Sequence, residues 1–98
     1  MSYIYILYRS DSALIKIGHT KFSGSDRASN YTDGKWLVYK EYEVPSFLSA
    51  SIERKTHELL KAQGVWVDPL ITNGTAVEIF NCSKNEGDNC VKKAMELI

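Results

Sequence analysis

The sequence predicts one small α/β (α+β) domain: a mostly antiparallel sheet of three to four strands flanked by helices, in the order ββαβαβα over residues 1–98. Three observations carry that expectation. The chain has 98 residues, enough for a single modest core and too few for two. Short β-branched and aromatic segments, bounded by turn residues, open the chain and recur in its middle. The apolar period then changes from two to that of a helix after Pro45 and again near the C-terminus. One mixed layer of sheet and helices is the packing solution for such a pattern.

The elements follow in order. Tyr3-Ile4-Tyr5-Ile6-Leu7-Tyr8 is apolar at every position, which suits a central strand covered on both faces. Ser10-Asp11-Ser12 has turn chemistry, and Leu14 to Gly18 resumes the strand pattern, so the two form a hairpin. Residues 21–35 are small and polar; Ser23 or Ser25 caps a short helix through about Tyr31, and Asp33-Gly34 ends it. Trp36 to Val44 is a third strand, stopped by Pro45, which has no N–H for the ladder. From Ser46 to about Gln63, Leu48, Ile52, Leu59 and Ala62 share one helical stripe. Ser46 stands where a cap should, and Gly64 at the C′ position. A loop containing Pro69 and Asn73-Gly74 leads to a fourth strand, Ala76 to Phe80. A closing helix from Asn89 to Ile98 turns Val91, Ala94, Met95 and Ile98 inward.

Composition removes several function classes. With 44% hydrophobic residues and twelve charges of each sign, the chain is neither disordered nor a strongly basic nucleic-acid glue. The longest apolar run, Tyr3 to Tyr8, is far short of the ~20 residues of a membrane helix. No signal peptide is expected and the expected location is cytoplasmic. Cys82 and Cys90 read as two reduced thiols, one beside a strand and one on a helix. Residues 1–63 hold nine basic and seven acidic side chains, a balance of +2, against −2 for residues 64–98 with three and five. That asymmetry permits a positive face on the first two-thirds, where Lys21, Lys35 and Arg54 are the candidate nucleic-acid contacts.

Several residues admit a chemical role beside a structural one, Tyr5 and Lys16 first among them. Lys16 interrupts an apolar strand, and its ammonium must reach solvent or a partner. Either it snorkels at a sheet edge, or it stands beside Tyr5, where a positive charge favours phenolate over phenol. Gly18 ends that strand without a side chain, close approach of a ligand being one reason for such a glycine, and His19, a surface residue on its own, follows it. Arg27 has the fork that suits a phosphate oxygen. Glu53 and His57 lie four apart on the long helix and stack on one face. At 100° per residue Glu53 flanks the expected apolar stripe by about 110°, where it leans over the sheet or is simply solvated.

Taken in order, these residues resemble the GIY-YIG nuclease superfamily. Tyr3-Ile4-Tyr5 and, ten residues later, Lys16-Ile17-Gly18 look like its paired GIY and YIG elements. The small phage-type branch, whose second element reads K-I-G followed by a basic residue and Thr, is closer still: here Lys16-Ile17-Gly18-His19-Thr20. Arg27 matches the arginine of the first helix, Glu53 the glutamate of the next long helix, and His57 the histidine four residues on. Glu78-Ile79-Phe80 matches a late strand with an acidic residue and an aromatic, so the resemblance spans nearly the whole chain. Tyr3 stands where the first motif has glycine, Lys16 where the second has tyrosine, and Asn81 is a candidate for the late asparagine.

The resemblance implies a metal-dependent DNA endonuclease domain that hydrolyses phosphodiester bonds. Glu53 would be the single protein ligand of Mg²⁺ or Mn²⁺, and Tyr5 would deprotonate the attacking water with help from Lys16 and His19. Arg27 would neutralise charge developing on the phosphate, and His57 would stand behind Glu53 rather than on the metal. DNA affinity beyond these contacts is expected from a homodimer or a partner protein, with Trp66 or Leu70-Ile71 as apolar contact points. Two other readings stay open: a nucleic-acid-binding module of the same fold with weak or no catalysis, and an accessory protein that binds another protein.

Overall fold

The computed structural model describes residues 1–9, 13–21, 36–67 and 79–98. Five strands and two helices are present among them: β1 (Ser2–Arg9), β2 (Leu14–Thr20), β3 (Trp36–Val44), α1 (Ser46–Ala62), β4 (Trp66–Val67), β5 (Ile79–Asn81) and α2 (Lys84–Leu97). The expected turn at Ser10–Ser12, the short helix carrying Arg27, Lys35, Leu70-Ile71, and the Ala76–Glu78 start of the fourth strand lie outside the described residues.

One sheet joins all five strands in the order β3-β1-β2-β5-β4, with every described pairing antiparallel. The expected class holds, with a correction to the strand count: the two-residue β4 falls in a stretch that reads as loop. Two residues are too few to show an alternation. β1 is central, as its unbroken apolar run requires, and Ile4, Tyr5, Ile6 and Leu7 are consecutive and buried. Its register with β2 sets Tyr5 against Gly18 and Leu7 against Lys16. Its register with β3 shifts between Ile6 and Leu7, where Lys40 and Val38 are the partners and Tyr39 is the extra residue.

Alternation divides the side chains between two faces. Ile4, Ile6, Ile15, Ile17 and Phe80 meet Ile52 and Leu60 of α1 and Cys90, Val91 and Ala94 of α2 in the larger core. Tyr5, Leu7, Trp36 and Ile79 form a second cluster with Leu14 and Val38 on the other face. Each fully buried aliphatic side chain contributes about 1.5–3 kcal/mol of transfer free energy.

Helix α1 begins as expected but is capped differently. Pro45 is the N-cap, with φ −57° and ψ 135°, and no side chain caps the helix. Ser46 is already helical; its hydroxyl accepts from Ser2 Oγ at 2.9 Å. Gly64 takes φ +73° just past the end, the left-handed C′ position for which glycine was read. The buried stripe is Ser49, Ile52, Thr56 and Leu60, while Leu48 and Leu59 are half-buried and Ala62 is exposed. At 100° per residue the stripe is turned by about 55° toward Glu53 from the expected one. Two small hydroxyls make this possible, because each is satisfied within the helix: Ser49 Oγ donates to Ser46 O at 3.0 Å and Thr56 Oγ1 to Ile52 O at 2.8 Å.

Helix α2 starts at Lys84, five residues before the expected Asn89. Ser83 caps it by accepting from Glu86 N at 3.1 Å, the serine and glutamate spacing of a capping box. The helix starts earlier than its apolar residues show, and two contacts hold Gly87 and Asp88 within it. Gly87 lets the helix approach β2 so closely that an added Cβ would overlap Ile15 Cδ1. Asp88 is buried but held by three donors. Ile98, expected in the core, lies beyond the helix and is exposed. Cys82, after β5, and Cys90, on α2, are free and buried. No described helix is long and apolar enough to cross a membrane.

Candidate functional site

Two groups of the expected site residues assemble at the Ile17–Thr20 end of β2, one on each face of the sheet. On the face away from the helices, Tyr5 lies across Gly18, and its ring fills the space a side chain at 18 would take. A Cβ there would stand 2.5 Å from Tyr5 Cζ. Lys16 is diagonal to Tyr5 on that face, two residues before Gly18. Both side chains are buried, each 3% exposed. The Lys16 ammonium sits 4.9 Å from the centroid of the Trp36 indole, a cation–π contact that supplies part of what burial removes. The lysine therefore does not snorkel at an edge.

On the helix-covered face, α1 delivers Glu53 to His19. A carboxylate only accepts, so His19 Nδ1 carries the proton and donates to Glu53 Oε2. The Glu53 side chain is 25% exposed and that of His19 41%. One turn further on, His57 Nε2 donates to the Ile17 carbonyl at 2.7 Å. Its ring rests 5.1 Å from that of Phe80, tilted by 57°. Glu53 Oε1, at 4.0 Å from His57 Nε2, is outside hydrogen-bond reach of it. His19 thus belongs with Glu53 and not beside Tyr5: it pairs with Ile4, on the opposite face from Tyr5, because successive strand residues alternate.

The two groups are separated by β2 itself. Gly18 has no side chain, so at that point only one strand's backbone intervenes. β5 pairs with β2 from Leu14 to Lys16, and no described strand pairs with the outer edge of β2 beyond Lys16. Lys21 and Arg54 are exposed, the first just past β2 and the second next to Glu53 on α1. Arg27 and Lys35 lie outside the described residues.

For a metal, the available donor set is one partly exposed carboxylate with an imidazole on one oxygen. No group of three or more His, Cys, Asp or Glu side chains able to hold a metal ion occurs among the described residues. A closed zinc-type cage needs four such ligands. A hard oxygen at a hydrated position suits Mg²⁺, which keeps several waters and takes one or two carboxylates.

A third cluster was not legible as a unit. Asp88 of α2 accepts from Tyr42 Oη, from Lys40 Nζ at 2.9 Å and from Lys92 Nζ at 3.2 Å. Burial by itself would raise the Asp88 carboxyl, yet these hydrogen bonds outweigh it and hold the group below its ordinary 3.8. Burial and its hydrogen bond to Asp88 both raise the Tyr42 phenol, and the Lys40 ammonium is raised by its own hydrogen bond to Asp88. The spacing of Asp88 and Lys92 was a readable sign; Lys40 and Tyr42 come from β3, and only the fold brings them there.

Compared with known proteins, the chain matches no curated protein and no solved structure significantly. The model of the T5orf172 domain matches residues 2–95, which takes in every described element almost in full. β2 runs on through Thr20 rather than ending at Gly18 as expected. The half-buried Glu53 on α1, Gly18 within β2 and the five-stranded sheet are features of a family member: the chain belongs to the T5orf172 domain family, a phage-associated domain related to nuclease-like folds.

Proposed function

We propose that this protein is a metal-dependent DNA endonuclease module of the GIY-YIG type that hydrolyses phosphodiester bonds. The observation that supports it best is the meeting of Glu53 with the Gly18–His19 end of β2, the strand that also carries Lys16 and packs against Tyr5. Glu53 would hold Mg²⁺ or Mn²⁺, and the bound ion supplies Lewis-acid stabilisation of the phosphate charge. His19 orients the carboxylate through its Nδ1 proton. For hydrolysis Tyr5 Oη, buried on the other face, must be reached past Gly18 to take the proton of the attacking water, as that water's oxygen bonds to phosphorus and the P–O bond to the leaving oxygen breaks. Lys16 supplies positive charge on the Tyr5 side and Arg27 neutralises charge on the phosphate oxygens. Lys21, Lys35 and Arg54 contact the DNA backbone, and a second copy or a partner protein adds the recognition that a chain of zero net charge lacks.

The burial of Tyr5 and Lys16 on the face opposite Glu53 favours a second reading, a nucleic-acid-binding module of the same family without hydrolysis. Nicking of supercoiled plasmid in Mg²⁺ or Mn²⁺ separates the two. On the endonuclease reading Glu53→Gln and Tyr5→Phe each lose roughly 10²–10³ in rate. Salt-sensitive DNA binding with no metal-dependent nicking by the unaltered protein would establish the binding module instead.

A further inference from the structure

We infer that His57 is a positioning residue that sets the aim of Glu53, an inference that rests on the endonuclease reading. Glu53 and His57 are four residues apart on α1, about 6.0 Å along the helix axis. Their partners, His19 and Ile17, are two apart on β2, about 6.6 Å along the strand. The two spacings agree to within a bond length, so both contacts are made together when α1 runs opposite to β2: Glu53 on His19 and His57 on Ile17.

The two contacts are not equivalent. The Glu53–His19 contact joins two partly exposed side chains. His57 grips a backbone atom, and the Ile17 carbonyl cannot move without the strand. A carbonyl only accepts, so Nε2 carries the His57 proton, and the neutral ring suffices. The ring is also packed, 14% exposed at its side chain and 5.1 Å from the Phe80 ring. Among the described residues, β5 pairs with β2 no further than Lys16, and His57 takes up the Ile17 carbonyl where that pairing stops. With Nε2 committed there, His57 is no metal ligand through that atom. Glu53 Oε1 lies 4.0 Å from it, outside hydrogen-bond range. His57 therefore acts on the carboxylate through the helix: it fixes how far α1 slides and turns over β2, and so where Glu53 points. A misplacement of about 1 Å in such a group costs on the order of 10²-fold in rate.

The test compares His57→Leu, which removes the donor, with His57→Gln, whose amide N–H reaches about as far as Nε2. Mn²⁺ affinity is measured directly by electron paramagnetic resonance on the full chain. The ¹⁵N signals of the His19 ring are recorded without metal at one fixed pH. His57→Leu is expected to weaken Mn²⁺ binding by roughly 10–100-fold and to shift the His19 signals, and His57→Gln to restore most of both. His57→Leu with unaltered Mn²⁺ affinity and unmoved His19 signals would overturn the inference, as would a folded His57→Gln as impaired as His57→Leu. Should His57→Leu fail to fold, His57→Gln with near-normal affinity and His19 signals supports it, and the loss of either overturns it. If the unaltered protein binds no Mn²⁺, the endonuclease reading fails, and the His19 signals still decide whether His57 places Glu53.

Discussion

Replacing Gly18 by alanine drives a single methyl group into the Tyr5 ring. The new Cβ would lie 2.5 Å from Tyr5 Cζ and 3.0 Å from Cε1, against an ordinary contact of 3.4 Å or more. The ring must therefore withdraw by about 0.9 Å at Cζ, the difference between 3.4 and 2.5, and by more at Oη, which lies nearer still. Tyr5 is 3% exposed and clustered with Leu7, Trp36 and Ile79, so it retreats into occupied space. Overpacking of this kind costs about 1–3 kcal/mol. For a domain of this size each kcal/mol lowers the melting temperature by about 4–8 °C. Thermal unfolding followed by circular dichroism is measured for Gly18→Ala, Tyr5→Leu and the double variant. The expected outcome is a loss in the single Gly18 variant that disappears when Leu replaces the ring, since nothing then fills the space over residue 18. Nicking by Gly18→Ala falls by about 10²-fold, because the displaced phenol is the proposed base. If Gly18→Ala melts within about 2 °C of the unaltered protein, or costs as much with Leu at position 5 as with Tyr, the packing argument is wrong.

Other expectations follow from the same coordinates. Gly87→Ala should destabilise by about 1–3 kcal/mol, although glycine to alanine inside a helix ordinarily gains about 0.5–1 kcal/mol, because the methyl overlaps Ile15 Cδ1; adding Ile15→Val, which removes that atom, should recover most of the loss in a urea titration. Asp88→Asn should cost roughly 1.5–3 kcal/mol at neutral pH, since it weakens charged hydrogen bonds from Lys40, Lys92 and Tyr42. A carboxyl held below its unfolded value stabilises above that value and loses the contribution as pH falls through the folded one. Acid unfolding should accordingly steepen below about pH 4, and Asp88→Asn should flatten that limb. Burial pushes the Cys82 thiol up to about 11. At pH 8 its thiolate fraction is about one in a thousand, so Ellman's reagent should label Cys82 at the rate of protein unfolding and no faster.

Much of the scaffold was legible because its signals are local. Trp36 to Val44 was readable to both ends, since alternation defines the strand and Pro45 denies it a further donor. The β1–β2 hairpin and the span of α1 were legible for the same kind of reason: a sustained period ended by a residue with a special backbone, Gly64 in the helix. Misreadings arose where polar residues are buried. Ser49 and Thr56 belong to the core face of α1, and a hydrophobicity pattern cannot show that their hydroxyls are satisfied by the helix's own carbonyls. Gly87 and Asp88 fall before the expected helix start at Asn89, and their partners on β2 and β3 hold them in the helix. β4 exists because Trp66 and Val67 pair with Phe80 and Ile79, a fact of register that two residues cannot announce.

The candidate site divides along the same line. The resemblance of residue order to the GIY-YIG pattern singled out Tyr5, Lys16, His19, Arg27, Glu53 and His57; taken singly, each of these residues also has a structural explanation. Which of them touch was settled by tertiary structure. Strand parity sends Tyr5 and Lys16 to one face and His19 to the other, and the turn of α1 about its axis, set by two buried hydroxyls, swings Glu53 toward His19. The sequence determined the longer strands, the main helix and the chemical groups on offer, since those depend on neighbours a few residues apart. Which groups meet depends on the sheet's register and the helix's rotation, which are fixed by packing among residues distant along the chain.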